Sequence, residues 1–147
     1  MHARPLAAAV ITGCVAFTAC AEEAPVVTDA DHLARLDAIC AETTEELAAL
    51  PAPPELISVA DFAASAAGLL AAEAEEMRRL DAPAELDDDH RALVLTTDEQ
   101  AAAWGQLATE ANAGETAYDT QRIGELTLGR NDLARDMGAD ACVRDGL

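Results

Sequence analysis

Apolar residues recur three and four positions apart over most of the chain after residue 30, which is the period of helices that bury one face. The pattern predicts four helices, over about residues 31–50, 58–81, 88–113 and 115–137. Aromatic residues are only 3% of the chain, and β-branched residues are also few, which argues against a sheet protein. The predicted fold class is therefore all-α.

Capping and helix-breaking residues stand near the predicted ends. Asp29 or Asp31 suits the N-cap of the first helix, and Pro51 forbids its continuation. Gly114 is a stop signal for the third helix. Gly129 lies within the fourth helix, where glycine costs about 1 kcal/mol relative to alanine, so we expect a break or kink there.

The connections between the predicted helices are short, so successive helices should lie antiparallel. We expect residues 31–147 to form one domain, an up-down-up-down four-helix bundle. An alanine-rich bundle buries little area per residue, and its core is correspondingly thin. Other constraints should therefore help to hold the fold together.

The first 20 residues have the pattern of a secretory signal peptide, with a basic start and an uncharged stretch before small residues. The segment Phe17–Cys20 resembles a bacterial lipobox, in which cleavage precedes a cysteine that is then acylated. This resemblance implies a signal peptide over residues 1–19 and a lipid on Cys20. Residues 20–30 are acidic and contain proline, as expected for a flexible tether.

Two alternatives remain at this end of the chain. The segment Ile11–Cys14 also resembles a lipobox, although it leaves a shorter apolar region before Cys14. The other alternative is an ordinary signal peptide cleaved after Ala19 or Ala21, which would release a secreted protein.

The remaining cysteines, Cys40 and Cys142, form the only other pair in the chain. In an oxidising compartment such a pair predicts one disulfide, which would join the first helix to the segment after the last. Two free thiols or a metal-binding pair are the alternatives. The chain has no CxxC motif to indicate redox catalysis or zinc.

Charged residues interrupt two of the apolar stripes. Glu73 lies at the centre of the stripe of the second helix, and Arg130 lies likewise in the fourth. Because a buried charge is costly unless it is paired, we expect a buried Glu73–Arg130 ion pair, with Thr97 and Gln100 satisfying the spare lone pairs. The alternatives are a polar ligand pocket inside the bundle and a different helix register that exposes Glu73.

Two acid–histidine pairs occupy helix starts. Asp29 precedes His32 by three residues, and Asp87 precedes His90 by the same spacing, which is used with glutamate in di-iron bundles. Helix capping accounts for both acids, beside histidines at the surface. We therefore expect no metal site and no cofactor, with these four residues as the candidates if a metal is bound.

The formal net charge of −19 nearly excludes nucleic-acid binding, which needs a basic face to neutralise phosphates. GxSxG, SxxK, HExxH and glycine-rich phosphate loops are all absent from the sequence, so we expect no enzymatic activity.

Cys20, the acidic tether, Cys40 in an alanine-rich helical domain, and the ending Ala134–Cys142 occur together in this chain. In this combination the chain resembles the small uncharacterised lipoproteins and secreted helical proteins of high-GC Gram-positive bacteria. The resemblance implies an envelope location and no activity. We expect a lipid-anchored extracytoplasmic protein that meets a protein or cell-wall partner; the alternative is a domain that binds a metal ion or small polar solute inside the bundle.

Overall fold

Four α-helices and a short 3₁₀ turn make up the part of the chain that the structure, a computed structural model, describes: residues 28–51, 58–115, 117–118 and 120–144. These residues contain no strand, so the all-α class predicted from the sequence is confirmed for them. The elements are α1 (Asp29–Ala48), α2 (Val59–Arg78), α3 (Asp87–Asn112), α4 (Gln121–Met137) and the 3₁₀ turn (Asp140–Cys142). The predicted signal peptide, the tether up to residue 27, and Cys20 lie outside the described residues.

Hydroxyl side chains cap the first two helices. The Thr28 hydroxyl accepts a hydrogen bond from the Asp31 backbone N–H at 3.2 Å, so Thr28 is the N-cap that we assigned to Asp29 or Asp31. The Ser58 hydroxyl accepts from the Asp61 N–H at 3.0 Å in the same way. An oxygen at this position satisfies an N–H group that has no partner within the helix.

The fourth helix begins at Gln121, six residues later than predicted, and it is continuous through Gly129. Gly114 has a φ of +82°, a left-handed conformation that ends α3 and redirects the chain. Tyr118, in the connection between α3 and α4, then packs against the core. The other predicted boundaries differ from the observed ones by at most three residues.

The helices pack in chain order, α1 on α2, α2 on α3 and α3 on α4. The Cα atoms of α1 and α4 stay more than 8 Å apart. Residues 138–144, which we name the C-terminal segment, contain the 3₁₀ turn that packs on both α1 and α4. The segment thereby connects α1 and α4.

Two apolar clusters form the core, each built from all four helices. The disulfide cluster contains Leu36, Cys40, Met77, Leu93, Val94, Ala134, Met137, Ala139 and Cys142. The tryptophan cluster contains Leu47, Ala63, Ala66, Leu70, Ala101, Trp104, Leu107, Ala108 and Ile123. Trp104 meets Phe62 edge-to-face at 5.7 Å between ring centroids, a favoured aromatic arrangement. No helix in the described residues is both long enough and apolar enough to cross a membrane.

Cys40 and Cys142 form the disulfide that the sequence predicts, and both residues are fully buried. Their Cα atoms are 4.8 Å apart, within the ~4.4–6.8 Å that disulfide geometry requires. The bond joins the middle of α1 to the end of the 3₁₀ turn across 102 residues of chain.

Replacing both cysteines, as in Cys40→Ala with Cys142→Ala, should lower the free energy of unfolding by about 2–5 kcal/mol, because the bond restricts the unfolded chain. Urea unfolding of the two proteins measures this difference. Peptide mapping without reductant should recover the two cysteines in one linked fragment. Cysteines found in separate fragments, or an unchanged unfolding midpoint, would contradict the prediction.

Candidate functional site

A layer of polar side chains separates the two apolar clusters at mid-depth of the domain. Glu73 lies at its centre, on α2 between Leu70 of the tryptophan cluster and Met77 of the disulfide cluster. Arg130 enters the layer from α4, and its Nη2 atom lies 2.9 Å from Oε1 of Glu73. Both side chains are almost fully buried, with 1% of Arg130 and 0% of Glu73 exposed. Both charged residues thus lie inside, as the apolar stripes predict, and they form a direct ion pair.

A second arginine, which the helical pattern does not predict to be buried, binds the same carboxylate. Arg144 of the C-terminal segment donates from Nη2 to Oε1 of Glu73 at 2.6 Å and from Nη1 to Oε2 at 3.0 Å. This two-point geometry matches the fork of a guanidinium to the two oxygens of a carboxylate. Glu73 therefore sits between two buried arginines, and we name Glu73, Arg130 and Arg144 the charge triad.

The remaining donors of Arg130 connect the triad to α3 and to the disulfide. Its Nε donates to the Thr97 hydroxyl at 3.2 Å, and its Nη1 donates to the Cys142 backbone carbonyl. Its Nη2 also lies 3.5 Å from Sγ of Cys40. Arg130 thus contacts both disulfide-bonded cysteines and links the ion pair to the disulfide, two features that the sequence predicts separately.

The roles expected for Thr97 and Gln100 need correction. Thr97 accepts from Arg130 and donates to the Leu93 carbonyl, so it does not serve the Glu73 carboxylate. Gln100 donates to the Thr127 hydroxyl at 2.7 Å, and its Oε1 has no partner. Arg144 takes the lone pairs that we assigned to these two residues, because the disulfide carries the C-terminal segment into the layer.

The triad buries two positive charges with one negative charge. Burial lowers the pKa of Arg130 to about 10, because a desolvated guanidinium is less stable as a cation. The charge of Arg144 acts in the same direction, whereas Glu73 opposes the shift. Arg130 remains protonated at neutral pH, so the ion pair with Glu73 persists under those conditions.

Hydrogen bonds from two helices hold Arg144 in position. The Asn131 side chain on α4 donates to the Arg144 carbonyl at 2.7 Å and accepts from the Arg144 N–H at 2.9 Å. On α1, the Thr44 hydroxyl accepts from Nε of Arg144 at 3.0 Å. A nearby signal was present in the sequence: Arg144 follows Cys142 by two residues, and the predicted disulfide already ties that segment to the domain.

This arrangement favours a structural role for the triad. Both oxygens of Glu73 accept hydrogen bonds from guanidinium groups, which occupies the atoms that a metal or substrate would need. The polar ligand pocket weighed for this region would require Arg144 to leave. The protein's own C-terminal segment occupies the place of a ligand.

A second polar group lies where the sequence predicts surface histidines. His32 on α1 and His90 on α3 are both buried, with 1% and 6% of their surfaces exposed, and their rings meet edge-to-face at 4.8 Å between centroids. The prediction of surface histidines was therefore wrong. The capping pattern located the helix starts but did not show that the two rings turn inward towards each other.

The environment lowers the pKa of both histidines. Burial is the largest cause at His32, opposed by a hydrogen bond with the Asp81 backbone and by the charge of Asp29. Burial is again the largest cause at His90, and the neighbouring His32 adds to it. Desolvation disfavours the imidazolium, so both rings are neutral at pH 7.

Neither acid of the two Asp–His pairs joins its histidine in a cluster. Asp87 is paired with Arg91, and Asp29 is exposed in the first turn of α1. In the described residues, no group of three or more His, Cys, Asp or Glu side chains is placed to hold a metal ion. The histidines alone come together, with a pocket of about 300 Å³ beside His90 that Asp87 also lines.

Comparisons with known protein families, curated proteins and solved structures find no match for this chain.

Glu73→Gln should lower the free energy of unfolding by about 3–5 kcal/mol, because it leaves two buried guanidinium groups without a counter-charge. Glu99→Gln is the matched control: Glu99 forms an exposed ion pair with Arg122 at 2.7 Å, and we expect a loss of at most about 1 kcal/mol. Urea unfolding at pH 7 measures both variants. Equal losses would contradict the buried triad.

To remove the buried charges without leaving one unpaired, all three side chains of the charge triad must be replaced. Replacing Glu73 and Arg130 by Leu and Met would strand Arg144 in the core, so we expect this pair of changes to destabilise the fold. Adding Arg144→Met should recover most of the lost stability, since apolar replacement of a complete buried ion group is often well tolerated. A triple variant less stable than the double variant would refute this account.

The histidine pair should make the fold sensitive to mild acid. Because the pKa of each ring is lower in the folded state than the ordinary 6.5, the unfolded chain binds more protons below that pH. The free energy of unfolding should therefore be highest above pH 6.5 and should fall as the pH drops below it. Unfolding at pH 7.5 and pH 5.5 with a chelator present tests this in the protein and in His32→Gln with His90→Gln, which should show a smaller fall.

Proposed function

We propose that this chain is a non-enzymatic, lipid-anchored envelope protein that holds a small acidic helical domain outside the cytoplasmic membrane. In this proposal residues 1–19 direct export, Cys20 carries the lipid and residues 20–30 form the tether. Several acyl chains on one cysteine can hold a small domain durably, because each buried CH₂ contributes about 0.8 kcal/mol. The secreted form, cleaved without lipid, is the alternative location.

The buried disulfide is the observation that carries the proposal. Cys40 and Cys142 are both fully buried and bonded, in a chain whose other two cysteines fall within the signal-like segment. Stable structural disulfides are typical of proteins in oxidising compartments. A disulfide in the core and a lipobox-like segment at the start are independent features that favour the same location.

For the domain we propose the up-down-up-down topology. The make-up of the two clusters supports it: Leu36 near the start of α1 shares a cluster with Met77 near the end of α2, and Leu47 near the end of α1 shares the other with Ala63 near the start of α2. The same alternation continues into α3 and α4. Antiparallel neighbours with short connections produce this distribution.

The surface indicates the kind of partner that would bind. Five exposed arginines of the described residues are paired with acids of the same domain, as in Arg78 with Asp98 and Arg122 with Glu99. These pairs offset five cations and leave most carboxylates of the described residues without an arginine partner, in a chain of net charge −19. Electrostatic complementarity favours a basic protein surface or a cationic cell-wall component as partner.

The other candidate function, binding of a metal ion or small polar solute around Glu73, His90 and Arg130 together, gains less support. Arg144 fills the position beside Glu73, and the hydrogen bonds of Asn131 hold it there. The histidines lie in a separate group, paired with each other and not with the triad. We therefore favour the envelope domain over the solute binder.

Intact-mass measurement of the protein from its native membranes tests the location. We expect a mature N-terminus at Cys20 with added acyl mass, and we expect Cys20→Ala to move the protein out of the membrane fraction. Cys14→Ala is the matched control and should leave the protein anchored. A mature chain that begins at Ala21 or later without acyl mass would refute lipidation, and loss of anchoring in Cys14→Ala alone would move the lipid to Cys14.

A further inference from the structure

Each histidine of the buried pair has one ring nitrogen without a hydrogen-bond partner. These atoms are Nε2 of His32 and Nδ1 of His90, and both are shielded from solvent. An unpartnered buried polar atom costs about 1–3 kcal/mol, and native structures contain few of them. The two rings are in contact, so two buried imidazole nitrogens without a protein partner lie in the same part of the core.

The hydrogen bonds on the opposite ring nitrogens identify the free atoms as lone pairs. Nε2 of His90 lies 3.1 Å from the Met77 carbonyl, which can only accept, so this nitrogen carries the proton and Nδ1 carries the lone pair. For His32, the Asp81 backbone raises the pKa through a hydrogen bond and Nε2 has no partner, which favours the same assignment, with the proton on Nδ1. The free nitrogen of each neutral ring is therefore a lone-pair donor.

This pattern is that of histidines that bind metal. A metal-ligating histidine usually donates its other ring N–H to a carbonyl or carboxylate, which sets the tautomer and the ring orientation. Two imidazoles that share one ion through bonds of about 2.0–2.1 Å at a tetrahedral angle have centroids roughly 5 Å apart. The observed separation of 4.8 Å agrees with this geometry.

We propose that His32 and His90 together bind one divalent transition-metal ion of the class that imidazole favours, represented by Zn²⁺. The chain supplies two ligands, and water or a small anion completes the coordination. Oxygen-preferring cations such as Mg²⁺ do not fit a pair of imidazoles. The proposal does not depend on lipidation or on the envelope location.

A pocket lies beside His90, on the surface side of the histidine pair, and His32 is not among the residues that line it. It has a volume of about 300 Å³ and is lined by His90, Asp87, Leu80 and other residues, including Arg78 and Arg91. The two arginines are each paired with acids, Arg78 with Glu75 and Asp98 and Arg91 with Asp87 and Asp88, so their charges oppose a cation only weakly. Lowered histidine pKa values also support binding, since a metal needs the neutral ring.

Titration of the full-length chain with ZnCl₂, followed by NMR of the histidine ring signals, tests the proposal directly. We expect the His32 and His90 signals to change together and to saturate at one ion per chain, with no such change on adding MgCl₂. This measurement uses the unaltered protein, so it does not depend on a variant that folds.

Variants separate this site from other zinc-binding groups. His32→Gln and His90→Gln should each weaken zinc binding by about 100-fold or more, since loss of an outer-shell partner alone typically costs about 10–100-fold. In the unprocessed chain of 147 residues, His2→Gln is the matched control and should leave the binding unchanged, as should Cys14→Ser with Cys20→Ser. Zinc that leaves the His32 and His90 signals unmoved, or binding lost only in the His2 or cysteine variants, would overturn the proposal, as would an equal response to MgCl₂.

Discussion

The buried carboxylate of Glu73 is the constraint on which the rest of the domain depends. A charge in the interior must be compensated, and here Arg130 on α4 and Arg144 near the end of the chain both bind the carboxylate. The Thr97 hydroxyl on α3 and the Thr44 hydroxyl on α1 accept hydrogen bonds from these two arginines, so every helix contributes. Apolar stripes can slide against each other at small cost. A polar layer with fixed hydrogen-bond partners allows far fewer registers, because each displacement leaves a buried charge or donor unpaired.

The disulfide and the charge triad both tie the C-terminal segment to the helices. The Cα atoms of the two helices α1 and α4 stay more than 8 Å apart, and the C-terminal segment adds a covalent bond to Cys40 and an ion pair to Glu73. The disulfide stabilises by restricting the unfolded chain, whereas the triad acts within the folded state. Arg130 couples them, since it contacts Cys40, the Cys142 carbonyl and Glu73 at once. An alanine-rich core buries little area per residue, which makes such additional constraints valuable.

The charge triad and the histidine pair differ in whether their hydrogen-bonding atoms all have partners within the protein. The charge triad is complete: both carboxylate oxygens accept hydrogen bonds, and the groups that bind them belong to the protein itself. The histidine pair is incomplete, with one lone pair on each ring that no protein group satisfies. Completed polar networks hold a fold in one arrangement, while an unsatisfied buried group requires another explanation. The triad therefore accounts for the architecture, and the histidines are where an additional ligand fits.

The sequence alone determined the features that follow from period and pairing: four amphipathic helices, the inward positions of Glu73 and Arg130, and Cys40 with Cys142 as the bonded pair. The helices and the inward positions follow from local patterns. The cysteine pair follows because the other two cysteines, Cys14 and Cys20, are assigned to the N-terminal segment. Only the tertiary structure decided the role of Arg144, the inward turn of His32 and His90, and the late start of α4 at Gln121. Helical period specifies which side of a helix is buried, but it carries no information about which segments meet. Arg144 lies beyond the last helix, in irregular chain without a period, so its place beside Glu73 depends on contacts between residues 71 positions apart.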